Sequence, residues 1–152
     1  MTATTLKTTE SNKLGLPADS CVFCRIVAGT EPATVVREWE DAIAFSPRHP
    51  VTPGHLLVVP RTHVADAVEA PAVTGAVFAR AAELAAERGL DSLNLITSRG
   101  AEATQTVYHL HAHLVPRREG DGLPLPWTPQ QAQRISEDRA SRNCTPEREE
   151  AG

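Results

Sequence analysis

The chain has 152 residues, 41% hydrophobic and 22% charged, with a formal net charge of −4. That length fits one domain able to bury its own core. The acidic balance argues against broad nucleic-acid binding, which needs a basic surface, and no apolar run approaches the roughly 18–20 residues of a membrane span.

Residues 1–19 are rich in Thr and Ser and lack an apolar stretch. They read as a flexible leader rather than a signal peptide, so a cytoplasmic location is expected. Residues 129–152 are rich in Gln, Glu, Arg and Ser and read as a polar tail, disordered or a loosely attached helix. The folded unit is expected over 20–128. There are three cysteines: Cys21 and Cys24 as a C-x-x-C pair, and Cys144, an incidental thiol in the tail. An odd count without a secretion signal argues against a disulfide framework.

In chain order, residues 34–39 and 42–45 are short apolar-biased runs separated by Glu40-Asp41, which reads as a hairpin. Residues 56–59, Leu-Leu-Val-Val between Pro53-Gly54 and Pro60, read as a buried central strand. Residues 71–88 read as a helix, with Pro71 near its start, Val73, Val77, Ala81 and Leu84 on one face, and Gly89 as the stop. Residues 93–97 form a further strand, 98–106 a polar loop, and 107–115 a last strand closed by Pro116. Several strands close in sequence with one helix imply an α+β domain: a mainly antiparallel five-stranded sheet with a packed helix.

The last of these strands carries His109, His111 and His113 alternating with Leu110, Ala112 and Leu114. Successive strand side chains point to opposite faces, so the imidazoles share one face and the apolar residues the other. Aligned imidazoles bind metal or act as base and nucleophile. Three at alternate positions span roughly 13 Å, too far for all to reach one ion. The middle one, His111, has help on either side. Thr104, Gln105 and Thr106 lie just upstream, where hydroxyls, an amide and backbone N–H groups can cradle a phosphate; Arg117 adds charge just downstream. Imidazole attack on phosphorus splits one hard step into two. The C-x-x-C pair taken alone is a redox pair, half of a zinc site, or chance; the redox reading needs a βαβ context that is missing, and structural zinc needs four N or S ligands.

The segment Gly54-His55-Leu56-Leu57-Val58-Val59-Pro60-Arg61-Thr62-His63, followed some fifty residues on by Gln105-Thr106-Val107-Tyr108-His109-Leu110-His111-Ala112-His113-Leu114-Val115-Pro116-Arg117, resembles the histidine triad (HIT) superfamily. The similarity covers about residues 21–127. It implies a HIT-like fold and a nucleotide-binding hydrolase or transferase that cleaves at an α-phosphate. The catalytic set it implies is His111 as the nucleophile that becomes nucleotidylated, His113 on the phosphate, and His55 beside it, with His109 completing the triad. Gln105 and Thr106 match the polar pair near the phosphate, and Ser98 stands where most members carry Asn. Val22, Phe23, Ile26, Phe45 and Leu57 match positions lining the base and sugar pocket. Some members bind structural zinc through residues matching Cys21, Cys24, His63 and His109. No organic cofactor is implied; the implied partners are a nucleotide or nucleotide conjugate and a second copy in a homodimer, with no nucleic acid and no membrane.

Two positions depart from the pattern. Pro47 stands where many members carry an Asp that binds ribose hydroxyls, and proline offers no side-chain hydrogen bond. Arg48 beside it is a candidate contact for a phosphate or another substrate group. Thr104 replaces a usual Gly. Two other functions compete: a nucleotide-binding or scaffold module with residual catalysis, and a metal-dependent hydrolase with its ion at the triad.

Overall fold

The computed structural model describes residues 20–125 and 136–137. The expected leader, Cys144 and nearly all of the polar tail lie outside the described residues. The chain divides after Arg118 into two units, and the elements below belong to the first. They are α1 (Val22–Val27), β1 (Thr34–Glu38), β2 (Ala42–Ser46), β3 (Leu56–Pro60), α2 (Pro71–Glu87), β4 (Leu93–Ile96) and β5 (Ala112–Pro116).

The five strands form one sheet in the order β1-β2-β3-β5-β4, and every neighbouring pair is antiparallel. The expected hairpin is β1–β2, closed by the Trp39 N–H on the Ala42 carbonyl. β2 and β3 are continuous apolar runs because both of their faces are covered. On one face Ala42, Ala44, Leu56, Val58, Leu110, Ala112 and Leu114 pack with Val77, Ala81, Leu84 and Ala85 of α2. On the other face Ile43, Phe45, Leu57 and Val59 pack with Phe23 of α1. Pro71 opens α2, where its missing N–H costs nothing. Gly54 is required before β3: its φ is +84°, and an added Cβ would meet the Pro116 ring at 3.2 Å.

Three local features differ from the sequence reading. α1 was not expected. It is only six residues long and is capped by a sulfur, the Cys24 N–H meeting Cys21 Sγ at 3.5 Å, so it lacks the usual hydroxyl or carboxylate start signal. The 98–106 loop contains one 3₁₀ turn, Ala101–Ala103. The histidine strand is the larger correction: pairing begins at Ala112, not at residue 107. The backbone before it is bonded elsewhere. The Leu110 N–H donates to the Val64 carbonyl at 2.7 Å. The His109 carbonyl accepts from the His111 ring at 2.8 Å, and the His111 carbonyl accepts from the Thr97 hydroxyl at 2.8 Å. These groups are unavailable to a ladder. The expected alternation survives all the same: Leu110, Ala112 and Leu114 enter the α2-side core, and the histidines lie on the α1 side, where Phe23 meets His109 and His111 edge-on.

Candidate active site and metal centre

Side-chain hydrogen bonds assign a separate role to each nitrogen of the triad. His111 donates from Nδ1 to the His109 carbonyl at 2.8 Å, which leaves the Nε2 lone pair as its reactive end. Burial pushes the His111 imidazole below its ordinary range, so the ring is neutral near pH 7 and that pair is available.

His113 is set by a relay. The Val51 N–H donates to His55 Nδ1 at 3.2 Å. His55 then carries its proton on Nε2, 2.9 Å from His113 Nδ1. Accepting there, neutral His113 holds its own proton on Nε2. The relay therefore makes His113 a donor, whereas His111 is a lone-pair acceptor. The two rings lie with centroids 5.1 Å apart. Burial first, then the neighbouring His111 and His55, push His113 down to about 4; burial lowers His55 as well.

His109 faces away from this pair. It is fully buried, and Nε2 donates to the Pro60 carbonyl at 3.0 Å. Its Nδ1 lies 3.5 Å from both Cys21 Sγ and Cys24 Sγ, and His63 Nδ1 lies 3.1 Å from Cys24 Sγ. All four donor atoms fall within 4.8 Å of one another. A tetrahedral shell with metal–sulfur and metal–nitrogen bonds of about 2.3 and 2.0–2.1 Å has edges of roughly 3.4–3.8 Å, so these atoms need only small shifts to hold one ion. The Pro60 carbonyl is the outer partner that fixes a ligating imidazole's tautomer and direction. Burial, then the adjacent Cys21 thiol, raise Cys24 to about 11; a cation between the sulfurs reverses that balance. The four residues named from the resemblance are therefore gathered at one point.

Beside the triad lies a cavity of about 920 Å³. Val22, Phe23, Ile26, Phe45 and Leu57 give it an apolar wall, and His55, His113 and Thr106 are among its polar lining. Sheet register explains part of this grouping, because Phe45 pairs with Leu57 and Leu57 with His113 across three adjacent strands. The segment 46–49, Ser-Pro-Arg-His, forms a further border.

Not every expected residue joins the cavity, whose lining includes neither His111 nor His109. Gln105 is buried with its amide fully engaged: Oε1 accepts from the Gly100 N–H at 2.9 Å, and Nε2 donates to the Ala65 and Val107 carbonyls at 2.8 and 3.1 Å. In this arrangement it braces the loop and does not reach the cavity. Ser98 follows β4 and is likewise absent from the lining. The Arg117 side chain meets Asn94 at 2.7 Å. Sequence reasoning overlooked Val51, whose backbone sets the His55 tautomer, and Pro60, whose carbonyl orients His109. Both act through backbone atoms, which side-chain type does not advertise.

Comparison with known proteins agrees with this geometry. The HIT domain family model matches residues 28–120. The protein named hit of Bacillus subtilis is 34% identical over 138 residues, covering 82% of this chain and 95% of that protein. An Arabidopsis thaliana protein named adenylylsulfatase HINT3 is 32% identical over 69% of this chain and 56% of its own length. Among solved structures, a zinc-bound histidine triad family protein from Mycobacterium smegmatis superposes with a TM-score of 0.62 at 37% identity, covering 82% of this chain and 99% of that one. With the family model spanning most of the described fold and the triad assembled beside a cavity, the chain belongs to the HIT family.

Proposed function

We propose that the protein is a nucleotide hydrolase or nucleotidyltransferase that works through a covalent nucleotidyl-His111 intermediate. The observation that carries this reading is the division of protons: His111 offers a free Nε2 lone pair while His113, two residues on, offers an N–H. That is the pairing a phosphoryl centre needs, a nucleophile toward phosphorus and a donor toward its non-bridging oxygens. The apolar wall suits a base and sugar, and Thr106 adds a polar contact at the phosphate end. The name of the Arabidopsis relative, an adenylylsulfatase, fits a leaving group attached to an α-phosphate.

In the first step the His111 Nε2 pair forms a bond to the α-phosphorus, and the bond from phosphorus to the leaving group breaks, its electrons going with that group. In the second, water attacks the same phosphorus and the N–P bond breaks. Over both steps the hydroxyl of one water goes to phosphorus and its proton to the leaving group. When an acceptor other than water attacks, the outcome is transfer.

The metal centre fits zinc: two thiolates and two neutral imidazoles are a donor set zinc favours, and four protein ligands leave no open position for chemistry. When bound, zinc would lock Cys21, Cys24, His63 and His109 together. The His109 carbonyl accepts from His111 Nδ1 in this structure, and a locked His109 would hold that carbonyl, and with it the His111 tautomer, in place. A metal-dependent hydrolysis would need an open coordination site at the triad, which a closed four-ligand shell does not supply.

The test is mass spectrometry of the protein mixed with nucleoside phosphoramidates, adenylyl sulfate and dinucleoside polyphosphates. A nucleotidyl adduct on His111 is expected. Turnover without that adduct, retained at a near-normal rate in His111→Ala, would overturn the mechanism. The expected homodimer is checked by light scattering, where a single monomer mass would exclude it.

A further inference from the structure

The cavity has a one-sided polar lining. Among the described residues it holds Arg48, His49, His55 and His113 but no Asp or Glu. A free ribose 2′,3′-diol is best met by an acceptor that takes both hydroxyl protons, as an ionised carboxylate does. Nothing of that kind lines the cavity. Pro47, in the middle of the 46–49 border, brings neither donor nor acceptor on its side chain.

What the border brings instead is positive. The Arg48 guanidinium meets Glu31 Oε1 at 3.0 Å, and Arg25 meets Glu31 Oε2 at 3.1 Å. One carboxylate is thus shared between two guanidiniums, which tethers Arg48 at the border. A guanidinium has five N–H donors, and a contact with one carboxylate oxygen leaves others for a ligand. The Arg48 side chain is 77% exposed, so its remaining N–H groups are accessible.

Arg48 and the neutral His55–His113 pair border the same cavity, whose apolar lining includes Phe45 and Leu57. From Phe45 to His113 is two strand spacings, and Arg48 lies three residues past Phe45.

We propose that this cavity selects a nucleotide bearing a second phosphate on its ribose, with Arg48 and His49 on that group while His55 and His113 hold the end where the α-phosphate reacts. The inference rests on the nucleotide reading above and specifies its substrate class.

Calorimetric titration with adenosine 5′-monophosphate and with adenosine 2′,5′- and 3′,5′-bisphosphates tests it. The expected result is at least tenfold tighter binding of one bisphosphate than of the monophosphate. In Arg48→Gln that ratio falls towards one, and in Pro47→Asp, which restores a diol acceptor, it shifts towards the monophosphate. Equal affinity for all three ligands in the native protein would overturn the inference and leave the nucleotide reading standing. A preference that persists undiminished in Arg48→Gln would also overturn it. Failure of every one of these nucleotides to bind would overturn the nucleotide reading itself, and the inference with it.

Discussion

The Nδ1 of His111 donates to the backbone carbonyl of His109, two residues earlier, at 2.8 Å. One histidine thus sets the tautomer of another without any contact between their ring nitrogens. Because the His109 ring faces Cys21, Cys24 and Pro60, the position of the reactive nitrogen depends on residues distant in sequence.

Replacing His111 with Ala removes the proposed nucleophile but leaves the four candidate metal ligands in place. Turnover is expected to fall by about 10³-fold or more, equivalent to ~4 kcal/mol of barrier. Bound metal and the circular dichroism spectrum should be unchanged. A fall of less than about tenfold would point to another attacking group.

Metal content offers a separate check. Elemental analysis should find close to one zinc per chain, and Cys24→Ser should abolish it. Chelation should lower the thermal midpoint by about 10 °C or more, since a bound structural ion contributes several kcal/mol and each kcal/mol is worth about 4–8 °C in a domain of this size. A midpoint unmoved by complete chelation would show that the four residues do not bind a stabilising ion.

Acid should weaken the fold through the histidine relay. Burial holds His113 near 4 and keeps His55 below its ordinary value, whereas both return to about 6.5 in the unfolded chain. Below that pH the unfolded chain takes up protons that the folded one refuses. Stability contributed by this pair is therefore present above about pH 6.5, falls as pH drops toward 4, and levels off beneath it. Denaturant unfolding across this range should show a steeper loss in the native protein than in His55→Asn/His113→Asn. Parallel curves would remove the pair as the cause.

Thr104 adopts φ +66°, the only non-glycine residue with positive φ among those described. A β-branched residue is strained there. Thr104→Gly should raise stability by about 1 kcal/mol, seen as a higher thermal midpoint. A lower midpoint would mean that the hydroxyl makes compensating interactions.

Much of this was legible in the sequence because the relevant patterns are local. Residues 56–59 read as a central strand, observed as Leu56–Pro60, because they are buried on both faces. The His-apolar alternation survives even where the backbone leaves the sheet, since core packing of Leu110 and Ala112 alone enforces it. Cys21, Cys24, His63 and His109 converge as the resemblance implied. The start of β5 was not legible, because it depends on carbonyl and N–H partners at Val64 and Thr97, far away in sequence. Gln105 shows the same limit. Its residue type suits phosphate, yet its neighbours Gly100, Ala65 and Val107 take up its amide.

Helix α1 joins two parts of the molecule that have been described separately. Its Cys24 and the preceding Cys21 belong to the metal centre, while Val22, Phe23 and Ile26 form part of the cavity wall. Six residues are too few to hold a helix by themselves, so the wall is only as firm as the attachment at its cysteine end. An ion that secured the cysteines would preorganise the cavity, and by thermodynamic reciprocity a ligand packed against Phe23 would then tighten the equilibrium binding of the ion. Metal affinity and ligand affinity would then be two readings of one coupling free energy, transmitted through a single turn and a half of helix.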